Sequence, residues 1–475
     1  MTTRTRFAPS PTGYMHIGNL RTALYEYLIA KKNNGEFILR IEDTDQAREV
    51  AGAIEVIYQT LKQTGLKYDE GPDIQGPYGP YIQSSRLALY QQYGHELVKL
   101  KGAHYCFCDQ ETITKNSDDQ LFHDPCHDLT STEIENLMNQ GKPYVIRQTI
   151  LKGTTSFYDE VYGSITVDNS TLDEGVLIKS DGYPTYNFAN IIDDHLMHIS
   201  HVVRGNEYLA STPKYNLIYQ AFNWSIPTYI HVPPVMKDAQ HKLSKRNGDA
   251  SYQDLIKQGY LTEAIINYIA LLGWAPEGEQ EIFSLDELIE NFDVKRISKA
   301  PAIFDLDKLK WMNGIYLRNL TLEAFHEIAL PYYQQNITRD VDLLELSKVL
   351  QLRISYLQEI EEMIDFINEP CSSDITLFNN KKMKTNQDNS LESLLWLKQS
   401  LSSFNEFNDD EKIHDLFIQL AKEKEVKNGR IMFPLRVALT FKAFTPGGAV
   451  EIAHILGKEE TLKRIDRAIA LLEQQ

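Results

Sequence analysis

The chain has 475 residues, more than a single hydrophobic core usually organises, so two to four domains are expected. With 42% hydrophobic and 24% charged residues, it has the composition of an ordinary soluble globular protein. Its formal net charge of −18 argues against a general polyanion binder, because non-specific nucleic-acid binding depends on phosphate neutralisation by Lys and Arg. Four cysteines are too few for a disulfide scaffold, and the chain has neither a leader-like segment nor a bilayer-spanning apolar run, so a cytoplasmic protein is predicted.

The first predicted elements are a strand, a tight loop, a helix and a second strand. The segment RTRFAP is typical of a short strand, and SPTGYMHIGN is typical of a tight loop. A helix follows with Leu20, Leu24, Tyr27 and Leu28 on one face, and EFILRIEDTD has the apolar run of a buried strand. Because these elements succeed one another within about 40 residues, they predict a βαβ unit and a parallel α/β domain.

The loop before this helix combines residues that suit a bound phosphate. Pro9 and Pro11 fix the backbone, whereas Gly13 and Gly18 let it approach a ligand closely. A helix start offers unpaired N–H groups and a partial positive charge, and His16 beside it can donate hydrogen bonds to a polyphosphate. The common phosphate-loop motifs are missing from the chain. On these residues alone, a phosphate site and a plain turn with an incidental histidine both stay open.

The middle of the chain is mixed, and its last part is helical. Residues from about 85 to 185 contain shorter strands and a Cys/His segment, and YPTYNFANIIDDHLMHISHVVRG then returns to the α/β pattern. Beyond about residue 320, nearly every segment has helical periodicity. A polar stretch, CSSDITLFNNKKMKTNQDNS, predicts a boundary inside the helical half.

Three of the four cysteines cluster in the segment CFCDQETITKNSDDQLFHDPCHD. Cys106, Cys108 and Cys126 form a C-x-C…C pattern whose spacing suits tetrahedral zinc. The alternative is three free thiols without a metal, and the pattern alone leaves both interpretations open.

The segment KLSKR at residues 242–246 carries two lysines three positions apart. A mobile loop of this kind can place ammonium groups on phosphates and stabilise charge that develops in an in-line displacement. Taken alone, such a match is better explained as a solvated basic loop.

Together with HIGN at residues 16–19, the KLSKR segment resembles the signature pair of the class I aminoacyl-tRNA synthetases. The stretches RFAPSPTGYMHIGNLRTAL and RIEDTD resemble their glutamyl and glutaminyl branch, and DGYPTYNFANIIDDHLMHISHVVRGNEYL and PLRVALT resemble the bacterial-type glutamyl-tRNA synthetases.

The resemblance covers the whole chain and implies its architecture. It implies an α/β fold, namely a class I Rossmann-like catalytic domain with an inserted α+β acceptor-binding domain, followed by an all-α anticodon-binding region. The implied segments are residues 1–85 and 186–240 for the two halves of the catalytic domain, 86–185 for the inserted domain with the zinc site, 241–320 for the KLSKR loop and stem-contact region, and 321–375 and 376–475 for two helical anticodon-binding domains.

The resemblance also implies the site residues. The implied catalytic residues are His16, Lys242 and Lys245, the implied glutamate-binding residues are Arg6, Ala8, Ser10, Glu42, Tyr186, Asn190 and Arg204, and the implied ATP-binding residues are Pro9, Gly13, His16, Gly18, Asn19, Glu207 and Lys245. Glutamate carries two carboxylates and one ammonium, so the planar groups of Arg204 and Arg6 suit the carboxylates and Glu42 suits the ammonium. The alternative for these three is a structural Arg–Glu ion pair.

For the zinc site, the resemblance places a fourth ligand two residues after the last cysteine, at Asp128. The neighbouring His127 is the alternative, because imidazole is the more usual zinc ligand. Such a zinc ion would be structural, since the implied reaction needs no open metal position. ATP is expected to bind with Mg²⁺, because divalent cations normally bridge the phosphates.

The implied activity is that of a glutamate–tRNA ligase, with L-glutamate, ATP and tRNA(Glu) as partners and no membrane. A form that also charges tRNA(Gln) stays open, and Arg353, Arg430 and Arg436 are only weak candidates for reading anticodon bases. A glutaminyl-tRNA synthetase is disfavoured by the helical C-terminal region. A catalytically inactive tRNA-binding relative is disfavoured by the intact catalytic and substrate-binding residues. A monomer is the expected state.

Overall fold

The computed structural model describes residues 2–45, 50–115, 117–118, 121–122, 124–241, 243 and 251–474. The chain divides into two compact units. The first consists of Met1–Ile256 and Thr262–Leu306, and the second of Lys257–Leu261 and Asp307–Gln475. Within the described residues, no helix combines the length and the apolar character that crossing a membrane requires.

The strands and helices follow the chain in this order. The strands are β1 Arg4–Phe7, β2 Glu36–Leu39, β3 Ala103–Cys106, β4 Ser117–Asp118, β5 Leu121–Phe122, β6 Val145–Gln148, β7 Thr154–Asp159, β8 Gly163–Asp168, β9 Val176–Ile178, β10 His201–Gly205, β11 Thr228–Val232, β12 Val235–Met236 and β13 Ala302–Ile303. The helices are α1 Ile17–Lys32, α2 Ala53–Gln63, α3 Leu87–Lys99, α4 Gln110–Lys115, α5 Ser131–Asn139, α6 Tyr186–Leu196, α7 Thr212–Ala221, α8 Tyr252–Gln258, α9 Thr262–Ala270, α10 Leu285–Asn291, α11 Leu306–Asn319, α12 Leu322–Asn336, α13 Leu343–Gln351, α14 Glu359–Ile364, α15 Gln387–Ser403, α16 Asp410–Glu423, α17 Asn428–Thr440 and α18 Ala449–Glu473.

The first unit is built around parallel strand pairs, and the predicted βαβ unit is confirmed. Strands β1 and β2 pair in parallel and are connected by α1, while β10 and β11 form a second parallel pair. The two pairs are linked where the Ser200 amide donates to the Arg4 carbonyl oxygen at 3.0 Å. Ligands of such sheets bind at the carboxyl ends of the strands. Ala8, Arg40 and Arg204 lie at the carboxyl ends of β1, β2 and β10.

The segment between α3 and α6 contributes to three sheets, of which the smallest is the antiparallel pair β4–β5. Strands β3, β6 and β9 form an antiparallel sheet of their own, in the order β3-β6-β9. The β7–β8 hairpin instead extends the sheet of β10 and β11, where β7 joins β11 through the pair Asp159 and Tyr229. This pairing places the buried Asp159 in the same sheet as Arg204.

The second unit is helical, as predicted for the C-terminal part of the chain. Helices α12 to α18 enclose a core of aliphatic and aromatic side chains that includes Leu350, Leu394, Phe417, Ile452 and Ile465. Full burial of each such side chain contributes roughly 1.5–3 kcal/mol. The continuous apolar periodicity of the sequence thus becomes one core shared by several helices.

Candidate active site

The first helix begins at the predicted phosphate loop, and His16 is its N-cap. The His16 Nδ1 atom accepts a hydrogen bond from the Gly18 amide at 3.0 Å. In a neutral imidazole, an accepting Nδ1 leaves the proton on Nε2, so this second nitrogen is a donor. It lies 3.2 Å from the Leu243 carbonyl oxygen, to which it donates. The imidazole therefore caps the helix with one nitrogen and presents an N–H with the other.

Two described residues, Leu243 and Ser251, lie close to this histidine. Lys242 and Lys245 themselves lie outside the described residues. Leu243, between them in sequence, contacts His16, and Ser251 just beyond the segment forms a β-bridge with His16. The two parts of the chain that were predicted to act together are therefore adjacent at the start of α1.

A cleft of about 500 Å³ opens at the carboxyl ends of β1, β2 and β10. Its lining contains the predicted glutamate-binding residues Arg6, Ala8, Ser10, Glu42, Tyr186 and Arg204 and the predicted ATP-binding residues Pro9, Asn19 and Glu207. The predicted residues Gly13, His16, Gly18 and Asn190 are not part of this lining. Gly13 has φ +109°, a conformation that favours glycine, so it shapes the loop through its backbone.

Arg204 is a buried cation whose hydrogen-bond partners are neutral. Its Nε donates to His231 Nε2 at 3.2 Å and its Nη2 to Thr212 Oγ1 at 3.1 Å. The guanidinium also lies 4.7 Å from the centre of the Tyr215 ring. Among the described residues, no carboxylate pairs with Arg204 and no protein atom accepts from its Nη1. Since burying an uncompensated charge is costly, this arrangement is typical of a site for an anionic ligand group.

Arg6 is placed differently, although it lines the same cleft. Its Nε donates to Asp194 at 3.0 Å and its Nη1 to Glu26 at 3.0 Å, and all three side chains are buried. The ion-pair alternative considered for the sequence is therefore realised at Arg6. Within the described part of the chain, its Nη2 has no protein acceptor. Arg6 can still contribute one hydrogen bond to a ligand, but most of its charge is already compensated.

Glu42 offers one oxygen to the cleft. Its Oε1 accepts from Arg40 Nη2 at 2.9 Å and lies 3.5 Å from Gln83 Nε2, whereas Oε2 has no partner among the residues described. Burial raises the pKa of Glu42, and the positive charges of Arg40 and Arg6 oppose that rise. An ammonium group at Oε2 would meet an acceptor already oriented by Arg40.

Two further predicted residues adjoin this set. Tyr186 lines the cleft with its ring centre 5.4 Å from that of Tyr208. Asn190, one helical turn further along α6, is only 2% exposed, and its amide nitrogen has no hydrogen-bond partner in the described structure. A buried orphan donor is uncommon in native proteins and often marks a functional position.

Sequence reasoning missed the buried acidic pair Asp193 and Asp194 on α6. Asp193 accepts from Arg86 Nε at 2.7 Å and from Tyr90 Oη at 2.8 Å. Asp194 accepts from Arg40 Nη1 at 2.7 Å and from Arg6. These bonds connect the helix to the strand ends that carry the cleft residues. The available signal was two consecutive aspartates inside the apolar stretch NFANIIDDHL.

The candidate metal ligands converge as a group. Cys106, Cys108, Cys126 and Asp124 each place a ligand atom within 4.8 Å of the others. The Cys108 and Cys126 sulfurs are 3.5 Å apart, a spacing compatible with a shared tetrahedral ion. Burial, together with the neighbouring Asp124 carboxylate, raises the pKa of the Cys106 thiol to about 11. A thiolate there would therefore need a compensating cation.

The carboxylate that lies beside the thiols is not that of the predicted fourth ligand. Asp124, not Asp128, lies with the thiols, because Asp124 caps the short turn Pro125–Asp128 and accepts from the Cys126 amide at 2.9 Å. Asp128 ends that turn and does not belong to the group. The alternative ligand His127 lies instead beside Glu174, with 3.6 Å between Nε2 and Oε1.

The arginines considered for anticodon reading lie in the helical unit. Arg430 pairs with Glu392 at 2.9 Å, and Arg436 donates to Thr445 Oγ1 at 3.0 Å. Arg353 is exposed. Arg430 and Arg436 thus bond to other residues of the protein, which does not strengthen their assignment to anticodon reading.

Comparison with known proteins identifies two matching family models. The model "tRNA synthetases class I (E and Q), catalytic domain" matches residues 2–311, and "Anticodon binding domain" matches residues 324–469. A glutamate–tRNA ligase of Clostridium tetani is 58% identical over 480 residues, covering 99% of this chain and 98% of that protein. A glutamate–tRNA ligase of Clostridium novyi is 56% identical over 479 residues, with the same coverage.

Solved structures resemble the fold over almost the whole chain. A glutamate tRNA ligase from Elizabethkingia meningosepticum, crystallised in complex with its amino acid, aligns with a TM-score of 0.89 and 35% identity, covering 99% of both chains. A glutamate-tRNA synthetase from Elizabethkingia anophelis aligns with a TM-score of 0.88 and 34% identity, covering 99% of this chain and 100% of that one.

Proposed function

Because the chain belongs to the class I tRNA synthetases of the glutamate and glutamine type, we propose that it is a glutamate–tRNA ligase acting on L-glutamate, ATP and tRNA(Glu). The substrate assignment rests on three polar side chains of the described cleft that each keep an atom without a protein partner. These atoms are one nitrogen of Arg204, one nitrogen of Arg6 and one oxygen of Glu42, while Glu26 Oε2, also unpartnered, belongs to the side chain that pairs with Arg6. Two guanidinium donors and one carboxylate acceptor complement the two carboxylates and the ammonium of glutamate.

The reaction has two steps. First, an oxygen of the glutamate α-carboxylate attacks the α-phosphorus of ATP, the bond between that phosphorus and the bridging oxygen breaks, and pyrophosphate leaves as glutamyl-adenylate forms. Second, a ribose hydroxyl at the 3′ end of tRNA(Glu) attacks the activated carbonyl carbon, and its proton passes to a phosphate oxygen of the departing AMP. The carbonyl–phosphate bond breaks, and AMP leaves. No covalent enzyme intermediate is required, so the protein contributes positioning and electrostatic stabilisation.

His16, Lys242 and Lys245 act on the phosphates. The helix-capping hydrogen bond at Nδ1 favours the tautomer in which His16 Nε2 carries the proton. This N–H can donate to phosphate oxygens once its hydrogen bond to the Leu243 carbonyl oxygen is broken. The two lysines neutralise charge that develops on the leaving pyrophosphate. Class I synthetases use ATP with Mg²⁺, and the metal here accompanies the nucleotide.

The charge on Arg204 favours glutamate over glutamine. Bound glutamine would leave this buried guanidinium without a counter-charge, which costs more than a missing neutral hydrogen bond. The lack of a described carboxylate partner for Arg204 supports this assignment. Arg6, already paired with Asp194 and Glu26, assists through one donor.

The cysteine cluster is proposed to hold one structural zinc ion. Cys106, Cys108 and Cys126 supply thiolates, and the Asp124 carboxylate supplies the fourth donor. When bound, the ion would hold the end of β3 to the turn Pro125–Asp128. No step of the ligation depends on it.

Amino-acid-dependent exchange of pyrophosphate into ATP tests the function. With tRNA(Glu) present, we expect exchange with glutamate and far less with glutamine. Exchange with glutamine alone would indicate a glutaminyl enzyme, and exchange with neither would indicate an inactive relative. Aminoacylation of purified tRNA(Glu) and tRNA(Gln) then separates an enzyme that charges one tRNA from an enzyme that charges both.

A further inference from the structure

A buried chain of three side chains lies behind the cleft. Asp159 Oδ2 is 2.7 Å from His231 Nδ1, and His231 Nε2 is 3.2 Å from Arg204 Nε. Asp159 and His231 are fully buried, and Arg204 is 7% exposed. None of the sequence patterns pointed to Asp159 or His231.

The sheet places these residues in line. Arg204 and His231 are register partners in the parallel pair β10–β11, so their side chains leave the same face of the sheet. Asp159 ends β7, which pairs with β11 at Tyr229. Its carboxylate also accepts from the amides of Val161 at 2.9 Å and His231 at 3.0 Å. Asp159 is therefore held rigidly, and it orients the imidazole in turn.

The hydrogen-bond geometry determines the protonation of His231. A carboxylate accepts, so His231 Nδ1 carries the proton. An arginine Nε–H can only donate, so His231 Nε2 must present a lone pair and the ring must be neutral. Burial lowers the pKa of His231, in agreement with this geometry. Thr212 Oγ1, the other acceptor for Arg204, is also uncharged.

Arg204 is therefore oriented by acceptors that do not neutralise it. A carboxylate at either position would hold the guanidinium equally well but would compensate its charge, as Asp194 does at Arg6. We propose that His231, fixed by Asp159, is a positioning residue that aims Arg204 into the cleft and preserves its full positive charge for a substrate carboxylate. This inference rests on the proposed function and adds to it the device that sets the preference for an acidic amino acid.

Two matched variants test the proposal, H231N and H231Q. The asparagine amide reaches roughly the position of Nδ1, so it can bond to Asp159 but offers no acceptor to Arg204. The glutamine amide reaches roughly the position of Nε2, so its carbonyl oxygen can accept from Arg204. Loss of a hydrogen bond to a charged group typically costs about 10- to 150-fold. We expect the KM for glutamate to rise by about that factor in H231N and clearly less in H231Q, with the KM for ATP unchanged in both.

The glutamate-to-glutamine ratio of kcat/KM in the exchange assay should fall in H231N and recover partly in H231Q. An unchanged KM for glutamate in H231N, or equal losses in both variants, would overturn the proposal while the wild-type exchange still supports the function. Wild-type protein without glutamate-dependent exchange would instead refute the function itself.

A measurement on the unaltered protein covers the case in which a variant fails to fold. In ¹⁵N-histidine-labelled protein, we expect the His231 ring to be neutral at pH 7 with its proton on Nδ1. A charged ring, or a proton on Nε2, would contradict the proposed geometry.

Discussion

Replacing Arg204 by lysine keeps a positive charge in the cleft but removes the planar guanidinium group with its several N–H donors. The three guanidinium nitrogens can donate to His231, Thr212 and a ligand at the same time. A single lysine ammonium cannot reach all three acceptors in that arrangement. A hydrogen bond to a charged group contributes about 1.5–3 kcal/mol. Loss of one such bond to the substrate carboxylate therefore corresponds to about a 10- to 150-fold weaker interaction with glutamate.

The pyrophosphate-exchange assay with tRNA(Glu) measures this effect. We expect the KM for glutamate in the Arg204→Lys variant to rise by that factor, whereas the KM for ATP should stay near the wild-type value, because the described hydrogen bonds of Arg204 go to His231 and Thr212, neither of which is a predicted phosphate-binding residue. The variant should unfold near the wild-type temperature, since the substitution retains the charge and most of the side-chain volume.

A matched control is Arg339→Lys in the helical unit. Arg339 pairs with Glu460 at 2.9 Å, donates to the Asn368 carbonyl oxygen at 2.9 Å and does not line the cleft. This control should leave both KM values unchanged. If Arg204→Lys also bound glutamate normally, the assignment of Arg204 to a substrate carboxylate would be wrong.

Four further outcomes are expected. Lys245→Ala should lower the activation rate by about 100- to 1,000-fold without changing tRNA affinity, as measured by filter binding, and an equal loss of tRNA binding would give the loop another role. Asp124→Asn should lower the zinc content measured by mass spectrometry, whereas Asp128→Asn should not; the reverse result would restore the sequence-based ligand. Glu42 must be ionised to hold the substrate ammonium, and burial raises its pKa above 4.5. Calorimetry should therefore show that the affinity for glutamate falls on acidification already above pH 4.5. The Glu42→Gln variant should lack this pH dependence. Leu350→Ala should destabilise the helical unit by roughly 2–5 kcal/mol in urea unfolding, and a smaller loss would mean that the core relaxes around the cavity.

Short-range patterns in the chain were sufficient for much of this description. The βαβ unit, the helical C-terminal half and the phosphate loop are each specified within a few tens of residues, where apolar periodicity and Pro/Gly placement act directly on the backbone. The motifs HIGN and KLSKR could also be identified, because each is a continuous stretch of sequence. The substrate-binding set came from the resemblance to the glutamyl branch, and its charged residues are of types that complement glutamate.

The partners of each charged side chain were decided by the tertiary structure. Arg6 and Arg204 were equivalent candidates by sequence, yet Arg6 meets Asp194 from a helix 188 positions away, whereas Arg204 meets only neutral acceptors. Asp124 replaces Asp128 beside the thiols because the cap of one short turn directs its carboxylate there.

The sequence by itself determined which elements form and which chemistry the chain carries, since both depend on neighbouring residues. Only the packed structure decided which arginine has no carboxylate partner, which carboxylate lies beside the cysteines and which groups surround His231. The physical reason is that hydrogen bonds and ion pairs in the interior join residues far apart in sequence. Their direction depends on strand register and helix packing, which no local pattern encodes.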